Sequence, residues 1–282
     1  MTNGKTKRET PAHDGRNLTE AKKPMNAKLE RITPETAAVM LQLNKDNRPV
    51  NTRHVKSLAR EIKEGRWQVN GDTIAFATDR LVDGQHRLMA IIESGTPVET
   101  FVVRGVSSES FLTKDAGKRR RTSDAMAIAG IVYSNDVAAA TLKVWLYVKY
   151  GKIGSVYAQP STSELMEFYE QNTGILKSVQ FVGRKSRIMT PSLCAALHYL
   201  FSGKHQEMAD RFTEDMMTGA DLGKENPIFL LRQRLLENIT SKSKLPQSYI
   251  AALAIKAWNF VRDGKSTKQL RFLSDEAYPV IK

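Results

Sequence analysis

One cysteine, Cys194, stands in the 282 residues. No disulfide within the chain and no thiolate metal cage can be built from it. Its place in the apolar run Pro191–Leu200 marks it as a small core residue, and such sparing cysteine use fits a reducing cytoplasm. No apolar run approaches the roughly twenty residues of a membrane span. The charged N-terminus lacks the apolar stretch of a signal peptide. A cytoplasmic protein without a membrane partner is therefore expected. Missing too are a Ser-His-Asp pattern, a Walker lysine loop, HExxH and CxxC. His198 and His205 lack ligand-spaced acidic or histidine partners, so no metal site is expected from them. No fixed repeat period runs through the chain.

Negative charge is in short supply. Lysine and arginine number 43 against 30 aspartates and glutamates, a formal net charge of +13 and a pI near 9.7. That surplus favours a polyanionic partner, nucleic acid first and anionic membrane a distant second. Hydrophobic residues make up 41% of the chain, enough for one or two globular domains at this length.

Residues 1–28 read as a basic, disordered tail. Lys5, Lys7, Arg8, Arg16, Lys22, Lys23 and Lys28 lie among Gly, Pro, Asn and Thr with almost no large apolar residue. Such a segment cannot bury enough surface to offset its ordering entropy. Thr33-Pro34-Glu35 then opens a helix with a threonine N-cap and proline at the first position. Thr52 opens a second helix. Val55, Leu58, Ala59 and Ile62 fall on one face, with Arg53, Lys56, Arg60 and Lys63 over much of the rest. Two readings of that basic side stand, a nucleic-acid contact or a solvated face. Gly65 closes the helix as its C′ residue. Trp67 follows, either to stack on a base or to plug the core at the helix exit.

Asp72–Thr78 alternates, with Ile74 and Phe76 on one side, and predicts a strand. A tight turn at Thr78–Arg80 leads back into Leu81-Val82. The segment Asp83-Gly84-Gln85-His86-Arg87 turns from that strand into a helix carrying Leu88, Met89, Ile91 and Ile92, closed by Gly95. A strand end, a glycine turn and a helix N-terminus can form an anion site, with freed amides and the positive end of the helix dipole converging. Gly84 permits close approach to the backbone. Arg87 offers a fork suited to phosphate oxygens, Gln85 and His86 offer side-chain donors, and Asp83 can orient a donor or help hold a metal. An ordinary strand-to-helix turn has the same composition. Val98–Arg104 predicts another strand. The order helix, helix, strand, box-helix, strand implies a compact α+β unit with a small mixed sheet.

A helix is expected to start at Ser107–Phe111. Lys114, Lys118, Arg119, Arg120 and Arg121 then crowd the stretch before Thr122. They are candidates to clamp phosphates of DNA or a nucleotide; the bland reading is an exposed loop joining two domains. From Thr122 the chain reads as all-helical. Val137, Thr141, Val144, Trp145 and Val148 make a stripe. Ser161-Thr162-Ser163-Glu164 forms a capping box, and Thr190-Pro191 caps a helix through Leu200. Phe229–Ile239 and Tyr249–Val261 complete it, and Arg184, Lys185 and Arg187 form a second basic connector. The domains expected are a tail over 1–28, an α+β unit over 29–121 and a helical domain over 122–282.

The string DGQHRLMA resembles the phosphate-binding box of the ParB/sulfiredoxin superfamily, most closely its DGQHR-type members, many of them from phages and mobile elements. The likeness covers roughly residues 29–106. It implies nucleotide binding, with ATP or CTP the expected triphosphate and Mg²⁺ its companion. Gly84, Gln85, His86 and Arg87 would hold the phosphates, and Arg48, Trp67 and Gln68 would frame the base and ribose. Asp83 and His86 are the catalytic candidates, and Lys118, Arg119, Arg120 and Arg121 the DNA-binding ones. Asp115, Gly117 and Arg121 resemble an Asp-x-Gly-x-x-Arg segment common in DGQHR-type phage proteins. Gln85 stands where sulfiredoxins carry the reactive cysteine, which argues against that reaction. Gln85 and His86 replace the Glu and Arg of partition proteins, which puts a chromosome-partition role in doubt. Three functions follow from the resemblance. The first is a nucleotide-binding, DNA-associated protein, with a homodimer among the arrangements open to it, whose slow NTP hydrolysis controls its grip. The second is a kinase using the same pocket, and the third a DNA-binding regulator without catalysis.

Overall fold

The computed structural model describes residues 24–45, 47, 49–78, 80–107, 121–154, 159–183, 188–219, 221–273 and 275–282. Four strands lie in one mixed sheet: β1 (Asn26–Ile32), β2 (Thr73–Phe76), β3 (Leu81–Asp83) and β4 (Val98–Arg104). Their spatial order is β1-β4-β2-β3. β1 runs antiparallel to β4, with Leu29 opposite Phe101. β2 is parallel to β4, and β3 antiparallel to β2 across a register shift at Ala75 and Phe76. Strand β1 falls partly inside the segment read as tail. Its alternation is faint because only Ile32 is buried along it; pairing with β4, not an apolar face, makes it a strand. Residues 1–23 of the expected tail, and residues 108–111 of the helix expected from Ser107, lie outside the described residues.

Three helices cover one face of the sheet: α1 (Pro34–Leu41), α2 (Thr52–Lys63) and α3 (Gln85–Ser94). The Thr33 hydroxyl accepts the Thr36 amide, and Pro34 takes the first helical position, as the sequence predicts. For α2 the cap is Asn51, whose side-chain Oδ1 accepts the His54 N–H. Val55, Ala59 and Ile62 of α2 join Leu88 and Ile91 of α3, Ile74 and Phe76 of β2, and Val98 and Val102 of β4 in one core. The expected apolar faces of β2 and α2 therefore meet across a single layer, burying side chains each worth about 1.5–3 kcal/mol.

Among the described residues eight helices follow: α4 (Thr122–Ile128), α5 (Ser134–Tyr150), α6 (Thr162–Gln171), α7 (Gly174–Val182), α8 (Pro191–Ser202), α9 (Gln206–Thr218), α10 (Pro227–Thr240) and α11 (Gln247–Arg262). They enclose a second core. Trp258 stacks on Phe201 with ring centroids 4.4 Å apart, and Phe212 meets both edge-on. Cys194 is buried there, as expected. On α5 the stripe shortens: Val137, Thr141, Val144 and Trp145 are buried, but Val148 is exposed. The architecture is α+β with a small mixed sheet and an all-helical part.

Gly84 is the joint that sets α3 on the sheet. Its φ is +105°, and a Cβ there would lie 3.1 Å from the Cα and Cγ1 of Ile74. Gly84→Ala therefore strains the backbone and pushes on β2 at once. We expect a loss of about 1–3 kcal/mol in urea unfolding. Gly71→Ala, where a Cβ meets open space, should stay within about 0.5 kcal/mol. Equal midpoints for the two variants would remove Gly84 from this role.

Candidate functional site

The DGQHR turn distributes its side chains to two opposite sides. The Gly84 N–H donates to Asp83 Oδ1 at 2.7 Å, so the chain's own carboxylate meets the first amide of the turn. Gln85 and His86 are buried and reach the loop between α1 and α2. Asn44 Nδ2 donates to Gln85 Oε1 at 3.2 Å, and the Asn51 N–H donates to His86 Nε2 at 3.0 Å. A neutral His86 accepting at Nε2 carries its proton on Nδ1. Asn47 Nδ2 ties the same loop back to the Leu81 carbonyl at 2.8 Å. These two polar residues of the box thus hold a loop. Arg48 belongs to that loop but lies outside the described residues.

Arg87 points the other way. Its Nη1 donates to the Thr73 carbonyl at 2.7 Å. Nη2 sits 3.0 Å from Asp72 Oδ2, and Asp83 Oδ2 is 3.8 Å from Nη1. The guanidinium forms part of the wall of a cleft of about 570 Å³, together with Trp67, Gln68, Asp72, Arg66 and Glu61. Trp67 is half-buried against the sheet core, and its Nε1–H donates to the Glu99 carbonyl at 3.0 Å. One part of the indole thus plugs the helix exit, and another borders the cleft. The structure brings Trp67, Gln68 and Arg87 together in this cleft. Gln85, His86 and Asp83 are not among its lining residues, and Asp83 contacts the lining residue Arg87.

The second wall comes from the helical part, where Ser163 of α6 borders the cleft. Arg60 of α2, read from sequence as part of a basic face, makes a two-pronged ion pair with Glu164, at 3.1 and 3.2 Å, and donates to the Gln159 carbonyl. Glu164 is also the capping-box residue of α6: its Oε2 accepts the Ser161 N–H while Ser161 Oγ accepts the Glu164 N–H. Burial works against the ionised Glu164, but Arg60 and the Ser161 amide hold its pKa below the usual value. The Ser161 hydroxyl donates to Glu61 Oε1 at 2.7 Å. Arg66 bonds Glu61 at 3.0 Å and Glu167 at 3.3 Å, and it also pairs with Glu64. Arg66 was not singled out in the sequence. Its position between the helix-closing Gly65 and Trp67 was the available signal.

Arg121 is exposed at the N-cap of α4, where its amide donates to Asp124 Oδ2 at 2.8 Å. Lys118, Arg119 and Arg120 lie outside the described residues, as do Arg184, Lys185 and Arg187. Among the described residues, no three His, Cys, Asp or Glu side chains come together to hold a metal ion. Among the described residues, no helix is long and apolar enough to cross a membrane.

One constellation escaped the sequence. His198 of α8 lies between Ser178 of α7, at 2.9 Å from Nδ1, and Asp210 of α9, at 2.8 Å from Nε2. The three residue types are those of a hydrolase triad, but spacing along three helices hides them from a linear search. Ser178 and His198 are each 3% exposed, and Phe181 stacks on the imidazole. A hydroxyl so enclosed meets no substrate, so the trio acts as a polar cross-link within the core.

Comparison of the chain with family models, with curated proteins and with solved structures gave no match.

Burial pushes the pKa of His198 below its usual value, against the opposing pull of Asp210. The unfolded chain then binds this proton more readily than the folded one. Its neutral form costs nothing above pH about 6.5, and stability falls as pH drops from there towards the folded-state pKa. Thermal melts between pH 7.5 and 5 should show this decline in the wild type. A shallower decline is expected in His198→Gln, and identical slopes would exclude His198 as the source.

Proposed function

We propose that this chain binds a nucleoside triphosphate, ATP or CTP, in the cleft between the sheet unit and α6, and associates with DNA under control of that nucleotide. The observation that carries the reading is the meeting of Trp67, Gln68 and Arg87 in one cleft. Those residues were singled out for the base and ribose (Trp67 and Gln68) and for a phosphate (Arg87). The volume of about 570 Å³ falls within the range of small-molecule sites. A base on the open part of the indole gains about 1–3 kcal/mol from stacking.

Arg87 is already paired, and the magnitude of that pairing matters. The Asp72 carboxylate is 64% exposed, and an ion pair to so open a partner is worth no more than about 1 kcal/mol. A triphosphate oxygen can replace it with a stronger charge-assisted bond. The Thr73 carbonyl meanwhile keeps the guanidinium aimed. Asp72 and Asp83, both beside Arg87, are the residues available to share a Mg²⁺ ion with the phosphates. Mg²⁺ commonly needs only one or two carboxylates besides phosphate and water. Hydrolysis, where it occurs, would draw on Asp83. His86 is committed to the loop at Asn51. The DNA part of the reading rests on the net charge of +13 and on Arg53, Lys56, Lys63 and Arg121, which are exposed.

Trp145 and Trp258 are buried, so Trp67 is the tryptophan that a stacking ligand quenches. Titration with ATP, CTP and GTP in Mg²⁺ should quench intrinsic fluorescence for at least one nucleotide. Arg87→Ala and Trp67→Ala should each weaken binding about tenfold or more, equivalent to about 1.4 kcal/mol. Wild-type affinity in both variants, or no nucleotide binding at all, would exclude the cleft. Duplex affinity should fall steeply as salt rises from 50 to 200 mM; a flat profile would rule out phosphate-dominated DNA binding.

A further inference from the structure

The geometry points to β1 as a self-complementary edge at which two copies of this chain join their sheets. β1 is the terminal strand of the order β1-β4-β2-β3, so its second edge pairs with no strand among the described residues. An unpaired edge is a template for another strand. Proteins usually guard such edges with charge, and β1 carries Lys28, Glu30 and Arg31. The placement of those charges decides between guarding and joining.

A two-fold axis perpendicular to the sheet pairs the strand with itself about one residue. Leu29 is the midpoint of Asn26–Ile32, so an axis there overlaps the strand over its whole length. In that register Lys28 faces Glu30 of the second copy, and Glu30 faces its Lys28. Ala27 faces Arg31, and no like charges meet. Moving the axis to Lys28, Glu30 or Arg31 sets a charge against its own copy and shortens the overlap. A strand that only repelled other edges would have no reason to be complementary in its fullest register.

Both faces suit the same axis. Leu29 and Phe101, opposite one another in the β1–β4 ladder, are 50% and 37% exposed. Joining two copies builds a row Phe101–Leu29–Leu29–Phe101 across four adjacent strands, which covers apolar surface otherwise left to water. On the other face Asn26 and Lys28 are exposed, so the helix layer stops short of this half of β1 and leaves room for a neighbour. Glu30 is already steadied by Arg104, with one bond at 3.0 Å, and so presents an ordered carboxylate to the incoming Lys28.

The test is sedimentation velocity of the full chain over a wide concentration range. The wild type should show a monomer–dimer equilibrium. Leu29→Lys and Lys28→Glu alter exposed side chains, and circular dichroism should show both variants folded. Each should raise the dimer dissociation constant about tenfold or more, through like charges on the axis or across it. Glu30→Lys should dissociate likewise. An equimolar mixture of Lys28→Glu and Glu30→Lys should regain dimer, because each charge then faces its opposite in the mixed pair. A wild type that stays monomeric throughout overturns the proposal. So does a dimer indifferent to both Leu29→Lys and Lys28→Glu, which would place the contact elsewhere.

Discussion

The close approach of Gly84 to Ile74 is the constraint from which the site geometry follows. With no Cβ and a left-handed φ, Gly84 lets α3 begin directly against β2. Starting there, the first residues of α3 diverge by helical geometry alone. Gln85 and His86 fall towards the loop after α1, and Arg87 towards the cleft beneath Trp67. A bulkier residue at 84 would shift the start of α3 and with it all three side chains. The glycine was singled out for letting a phosphate near the backbone; what it demonstrably admits is the neighbouring strand.

The fold was largely legible because its signals are local. Thr33-Pro34 announced α1, the Ser161–Glu164 capping box announced α6, and the alternation of Ile74 and Phe76 announced β2. β1 was invisible because its stability comes from a partner about seventy residues later in the chain, and its own side chains are mostly exposed. Periodicity reports burial and cannot report a ladder that lies at the rim of a sheet. The α9 helix also went unannounced, having a mostly polar surface between two short turns.

Of the residues singled out in the sequence, some line the cleft and others, Gln85 and His86, do not. Trp67, Gln68 and Arg87 do converge, but sequence offered no means to see that Arg87 is braced by Thr73, Asp72 and Asp83. Nor did it show that Arg60, one of four basic residues along α2, pairs with Glu164 of α6. Such pairings depend on where α6 docks, which no local pattern encodes. Arg60–Glu164 and Ser161–Glu61 also show one economy: the residues that cap α6 bind α2, so the start of that helix and the second wall of the cleft are set by the same groups. The Ser178–His198–Asp210 trio gives the converse lesson, since residue types suited to catalysis are placed where burial withholds them from any substrate.

The most direct measurement is an experimental structure of the chain with a non-hydrolysable triphosphate and Mg²⁺. The account predicts a base against the Trp67 indole and a phosphate oxygen within hydrogen-bonding distance of Arg87, with Asp72 displaced from that guanidinium. A nucleotide bound elsewhere, with the Arg87–Asp72 pair intact and the cleft empty, would contradict it.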